Sequence, residues 1–290
     1  MRGYLPRVCF VSRSRSAIWL VIAAIVSVQG GAAFAKSLFG QIDPTAMVWL
    51  RLAASALILV VIVRPRLAGR TRHDWLVAAA YAVTLVLMNW AIYQSFARIP
   101  LGLAVTIEFL GPLAVAVAMS RGWREVLLAL LAGAGVVLLG FSPTQVDWVG
   151  VAYALLAGVG WAGYIVVGPW LGRAWKGLDG LAVASVMGTA ALAVPAVLLG
   201  GSALVSRHIL VAGAAVGLLS SVIPYSLELQ ALRTLPRRVF SILMSLEPAV
   251  AAGAALLLLG ERLSVVDMVA MACVIAASVG VTGATAPKPD

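Results

Sequence analysis

The sequence predicts an all-α polytopic membrane protein, ten transmembrane helices arranged as two inverted five-helix repeats. Three observations lead there. The chain is too apolar to bury itself in water. It divides into ten apolar segments of membrane-crossing length. Its basic residues crowd into alternate connectors.

Of the 290 residues, 62% are apolar and only 11% are charged. Soluble domains have about 45–50% apolar and about 25% charged residues. A globular core at this length could not hide the excess. A soluble enzyme, a disordered chain and a nucleic-acid-binding domain are thereby excluded. The formal net charge of +10 would suit a polyanion partner, but the basic residues are scattered through short connectors, where membrane topology explains them. Cys9 lies in the basic leader and Cys273 in an apolar run, which makes no disulfide framework.

The apolar segments are 17–39, 44–63, 75–96, 100–119, 124–141, 148–170, 178–199, 209–231, 236–258 and 264–284. Each is close to the ~20 residues a helix needs to cross a bilayer. None alternates with period two, which excludes a β-barrel. A leader, 1–16, precedes them and a tail, 285–290, follows. Turn-forming residues mark connectors: Asp43-Pro44, Arg64-Pro65, Ser142-Pro143 and Gly200-Gly201.

With the N-terminus cytoplasmic, the inside segments carry 16 Lys and Arg and the outside segments carry 3, namely Arg98, Arg207 and Arg262. That bias fits ten spans with both termini inside. A rival exists at the start of the chain. Arg13, Arg15, the following apolar run and Ala33-Phe34-Ala35 have the form of a secretory signal, and cleavage there would leave nine spans.

The repeat argues for keeping the first span. A shift of 136 residues pairs Pro100 with Pro236, Pro112 with Pro248, Gln94 with Gln230 and Glu125 with Glu261. It also lays spans 3, 4 and 5 on spans 8, 9 and 10. The halves are then 17–141 and 148–284. Five spans per half turn the second upside down, and transporters of that kind bind substrate near the midplane between halves.

Several runs resemble the drug/metabolite transporter superfamily, EamA type, and within it the bacterial threonine/homoserine exporter group. They are Ala35-Lys36-Ser37-Leu38-Phe39, Leu50-Arg51-Leu52 and the long stretch from Ile99 to Ala116. Pro224-Tyr-Ser-Leu-Glu228, Leu243-Met-Ser-Leu-Glu-Pro248 and Leu259-Gly-Glu261 complete the likeness. The resemblance spans residues 17 to about 284. It implies ten helices in two inverted repeats and export of a small amino acid, threonine or homoserine, across the bacterial cytoplasmic membrane.

Charges inside a bilayer are costly and therefore shielded, paired or functional. Of eleven acidic residues, Glu108, Glu228 and Glu247 lie within spans. Glu108 aligns with Met244, one turn from Glu247, so the two carboxylates sit at similar depth on related helices. They read as cation or proton sites, or else as structural hydrogen-bond acceptors. Glu228 lies near Arg233, Arg237 and Arg238, where an interfacial ion pair competes with a transport role. Arg51 suits a bidentate clamp on a substrate carboxylate and equally suits neutralising a buried glutamate. Lys36, at the outer end of span 1, is expected to snorkel.

Gln29, Asn89, Gln94, Thr106, Ser220 and Ser221 are polar at depth; interhelical hydrogen bonding is their common use. Trp161 and Tyr164 could wall a cavity or simply pack. Gly133, Gly135, Gly158 and Gly163 read as close-packing positions. Pro112 and Pro248 should break helical hydrogen bonds and shape a kink or hinge. Glu125 and Glu261 read as structural charges at helix starts.

The chain has no H-E-x-x-H, no Cys/His cluster and no Walker A pattern. No enzyme activity, cofactor or metal is expected, and ATP is not the drive. The expected partners are a small-molecule amino acid and membrane lipid, with no nucleic acid; monomer and homodimer stay open. The expected mechanism is secondary-active export by alternating access, with proton antiport a further reading resting on Glu108 and Glu247. Efflux of another metabolite, an amine or a drug is the alternative, as is translocation of a lipid-linked carrier.

Overall fold

The computed structural model describes residues 7–119, 123–141 and 147–284. Most of the basic leader's first residues, Arg121, the Ser142-Pro143 connector and the tail with Lys288 lie outside the described residues. The helices are α1 (Arg7–Ser37), α2 (Pro44–Val63), α3 (Arg72–Phe96), α4 (Leu101–Glu108), α5 (Leu110–Ala118), α6 (Trp123–Leu138) and α7 (Trp148–Ala174). They continue as α8 (Asp179–Gly200), α9 (Arg207–Gly217), α10 (Ile223–Leu232), α11 (Arg237–Met244), α12 (Glu247–Leu259) and α13 (Val265–Ala284). Among the described residues, nine helical segments are long and apolar enough to cross a membrane, and Val265–Val281 is a shorter apolar tenth. Broken helices account for the difference between thirteen helices and ten spans. Span 4 is α4 with α5, span 8 is α9 with α10, and span 9 is α11 with α12.

The helix starts follow from local chemistry. Asp43 accepts from the Thr45 N–H at 2.7 Å, and Pro44 takes the first helical position of α2, where its missing N–H costs nothing. Thr71 and Asp74 form a reciprocal capping box at α3. Asp147 caps α7 through Val149 and Gly150. At its other end α2 stops at Arg64, in the left-handed conformation with φ 50°. Pro65 follows and cannot continue a helix.

The packing has the symmetry that two inverted halves require. Span 3 packs on span 6, and its counterpart span 8 packs on span 1. Spans 4 and 6 meet, as do spans 9 and 1; spans 3 and 7 meet, as do spans 8 and 2. The pairs 2–7, 4–9 and 5–10 map onto themselves. Span 1 belongs to this bundle, and Ala33 and Ala35 of the signal-like stretch are fully buried in it.

Both broken helices of spans 4 and 9 interrupt at equivalent places. The first break is at Phe109 and the second at Ser245–Leu246. Three residues beyond come Pro112 and Pro248. Neither ring nitrogen can donate to the carbonyl four residues earlier, on Glu108 and on Met244. Pro248 sits in the first turn of α12, so in span 9 the break precedes the proline. Spans 6 and 7 also hold internal prolines, Pro169 and Pro195, which the sequence pattern did not single out.

Small residues let the halves touch. A Cβ on Gly111 would run into the Gly158 carbonyl, and one on Gly158 would lie 2.9 Å from the Glu108 carbonyl oxygen. Helix association in lipid depends on such close packing. Gly135 and Gly163 are equally tight, against Ala270 and Thr84. Gly133 is a correction, because a Cβ there meets nothing within 4 Å. It sits on the outward face of α6.

Two charged residues are also placed differently from expectation. Lys36 does not snorkel. Its ammonium donates to the Ile99 carbonyl at 2.8 Å and pairs with Glu261. Glu261 is not in α13 but in the connector before it, and its carboxylate accepts from the Leu101 N–H at 2.8 Å. It therefore caps α4, a helix of the other half. Pro100 precedes α4 and offers no capping side chain.

Candidate functional site

One cavity of about 640 Å³ lies among the spans, lined by residues of both halves. It gathers Glu108, Glu247, Arg51, Glu228, Gln29, Asn89, Trp161, Tyr164 and Ser220 of the residues singled out from the sequence, but not Gln94, Thr106 or Ser221. Pro112 also lines it; Pro248 does not. The break after Glu108 and the one before Glu247 bring these carboxylates to the wall from spans 4 and 9.

The cavity reaches exposed residues towards one end of the bundle. It reaches Leu232 and Phe240, at the junction of spans 8 and 9, and Leu232 is 43% exposed. At the other end it stops at Phe96, beyond which Leu38, Ile42, Ile99 and Leu101 are buried. The Lys36–Glu261 pair and its bonds to Ile99 and Leu101 tie that closed end together.

Glu108 and Glu247 are each 8% exposed. Gln29 donates to Glu247 at 3.4 Å, and its own carbonyl oxygen is buried without a partner. Arg51 donates to the Ser220 carbonyl at 3.2 Å and stands 5.6 Å over the Tyr93 ring. Its Nε is buried without a partner. Among the described residues the ion pairs are Lys36–Glu261 and Arg70–Asp179. Among the described residues Arg51 therefore has no carboxylate within ion-pair distance, and Glu108, Glu228 and Glu247 make no ion pair, although the Arg51 charge acts on Glu108 from farther off. Of the arginines that could pair with Glu228, Arg233 makes no ion pair, and the side chains of Arg237 and Arg238 lie outside the described residues. Glu228 lines the cavity with Tyr225 instead, one turn before it on α10.

The segment that receives Arg51 is itself irregular. Leu218–Val222 forms a π-helical turn between α9 and α10, and such turns gather at functional sites. It holds Ser220, whose hydroxyl is buried and unpartnered. The Tyr93 hydroxyl is likewise orphaned. A buried polar atom without a partner costs about 1–3 kcal/mol. Around Arg51 the protein thus leaves several donors unused.

Other expected candidates turn out to be internally satisfied. Asn89 donates to the Leu85 carbonyl at 2.8 Å, and Thr106 to that of Gly102. Gln94 bonds Thr45 across spans 3 and 2. The aromatic wall is held by edge contact between Phe109 and Trp161 at 5.0 Å and by Tyr81 against Tyr164 at 4.8 Å. Tyr93, Phe109, Ser241 and Tyr225 escaped the sequence reading as site residues. Phe109 and Tyr225 carried a signal, their positions within the Ile99–Ala116 and Pro224–Glu228 runs.

A mainly apolar cavity with charged residues in its wall, set between symmetry-related halves of a membrane bundle and tied shut at one end, fits a transporter of the inverted-repeat class. The EamA-like transporter family matches residues 148–283. The chain is 39% identical over 272 residues to the threonine/homoserine exporter RhtA of Escherichia coli, covering 91% of this chain and 92% of that one. The threonine/homoserine exporter RhtA of Salmonella typhimurium is similar to the same extent. A solved crystal structure shares the fold, with TM-score 0.62 and 19% identity over 92% of this chain and 96% of its own. The chain belongs to the EamA-like transporter family. It is a multi-pass membrane transporter, not an enzyme.

Proposed function

We propose that the protein exports a small neutral amino acid, threonine or homoserine, across the bacterial cytoplasmic membrane. The observation that carries this reading is the arrangement of charge in the cavity: among the described residues neither Arg51 nor Glu247 makes an ion pair, and Arg51 acts on Glu108 only from beyond contact distance. A zwitterion fits that arrangement. Its carboxylate meets the unused Arg51 Nε and the Ser220 hydroxyl, and its ammonium meets Glu247 and the Gln29 carbonyl. The extent of similarity to exporters of threonine and homoserine supports the same reading. The halves 17–141 and 148–284 then rock about the cavity, and a proton taken by Glu108 or Glu247 drives the return.

The test is efflux. Proteoliposomes loaded with labelled threonine or homoserine should release it faster with the protein than without. Cells overproducing the protein should tolerate an excess of either compound and hold less of it inside. Unchanged amino-acid efflux with raised tolerance to unrelated drugs or amines would overturn the reading. A gain confined to lipid-linked substrates would point to a carrier translocase.

Both termini and the cavity mouth face the cytoplasm in this proposal. The support is the basic bias of the connectors. In a chain with Cys9 and Cys273 replaced by serine, single cysteines at 41–43 or 201–207 should react with an impermeant reagent outside intact cells. Those at 65–73 should react only after permeabilisation, and external labelling there would reverse the orientation.

A further inference from the structure

The tie at the closed end has a counterpart at the open end that is not assembled here. Its parts at the closed end are the penultimate residue of α1, Lys36, the carbonyl and N–H flanking Pro100, and Glu261. The 136-residue shift carries Ile99, Pro100 and Leu101 onto Leu235, Pro236 and Arg237, and Glu125 onto Glu261. The penultimate residue of α7, the counterpart of α1, is Arg173. Pro236 has almost the same backbone angles as Pro100, with φ −57° and ψ 140° against φ −54° and ψ 140°. Neither proline offers a capping side chain, so the first N–H of each following helix needs an acceptor from elsewhere.

At the closed end Glu261 supplies that acceptor. At the open end the equivalent carboxylate has an oxygen without a partner. Glu125 is only 7% exposed, and its Oε2 accepts no hydrogen bond. Arg173 is exposed and makes no ion pair among the described residues. A buried carboxylate oxygen without a donor is costly to keep, and nothing in the cavity accounts for it.

We propose that Glu125 and Arg173 form the inner gate, pairing with each other when the cavity mouth closes, while Glu125 caps the Arg237 N–H. An inverted repeat reaches its opposite state by exchanging the conformations of its halves. The tie now made by Lys36 and Glu261 then opens, and its image at the other end closes. Each state keeps one charge-assisted knot, made of a basic residue at the end of span 1 or 6, a glutamate before or at the start of span 10 or 5, and the backbone around a proline. The swap leaves the number of such contacts unchanged, so neither state is favoured by them alone. Arg124 and Arg233 also lie at that end of the bundle; Arg173 is singled out as the basic residue in the last turn of the helix equivalent to α1, one position beyond Gly172, onto which the shift carries Lys36.

This inference rests on the alternating-access reading, and its test separates the two. In the chain lacking native cysteines, Lys36→Cys with Glu261→Cys is cross-linked first. Locking that pair should stop transport, and unimpaired transport after full cross-linking would overturn alternating access and the gate together. The second pair is Glu125→Cys with Arg173→Cys. Cross-linking it should also stop transport and should block labelling of a cysteine at Ser241 from the mouth. The charge test runs in parallel. Glu125→Arg and Arg173→Glu should each lower efflux by about tenfold, and the two together should restore most of it. If the outer lock stops transport but the inner pair neither cross-links nor recovers by charge exchange, the gate is wrong.

Discussion

Replacing Arg51 by Gln should raise the amino-acid concentration that half-saturates efflux by about 10- to 100-fold, with the protein still inserted and folded. The magnitude follows from a charge-assisted hydrogen bond, worth about 1.5–3 kcal/mol, at about 1.4 kcal/mol per tenfold. Arg51 makes one modest bond to the Ser220 carbonyl, so little of the bundle depends on it. A substrate without a carboxylate supplies the control. Threoninamide should be handled poorly by the parental protein and no worse by Arg51→Gln. Arg51→Lys keeps the charge but loses the planar fork, and should fall between the two. If Arg51→Gln leaves half-saturation and the preference for threonine over its amide unchanged, the clamp is refuted.

How much of this could be read from the chain depends on the kind of question. Ten spans were legible because a bilayer fixes their length and composition. The charged lining of the cavity was legible as a set of residues because charge is so scarce in the spans; Glu108, Glu228, Glu247 and Arg51 stood out against 62% apolar sequence. Their partners were not legible. A membrane helix that is apolar all round carries no stripe to show which face is inside. Gly133 and Gly135 therefore looked alike, although one faces outward and the other meets Ala270. Lys36 read as an interfacial lysine because Glu261 comes beside it only after the whole bundle closes. The π-helical turn at Ser220 leaves no mark in composition, and Tyr93 became relevant only once Arg51 was seen above its ring.

The same geometry decides what the carboxylates should do. Glu108 ends α4 and Glu247 begins α12, so each is presented at a break in its span. A charge at that depth is held at a cost unless it binds something. Among the described residues Glu247 has a long bond from Gln29, and neither glutamate makes an ion pair. A carboxylate in that position can take a proton from one side and give it up on the other, and a substrate ammonium competes for the same oxygen atoms. Glutamine keeps the shape and removes the exchangeable charge. Glu247→Gln and Glu108→Gln should therefore abolish the stimulation of efflux by an imposed pH gradient. The Glu108 variant should keep exchange of labelled for unlabelled amino acid across the membrane, since exchange needs the cavity to alternate but needs no net proton movement. Glu247→Gln should weaken exchange as well, because its carboxylate faces the proposed ammonium site beside Gln29. Variants that insert normally and still respond to the gradient like the parental protein would make both carboxylates structural and remove the basis for proton coupling.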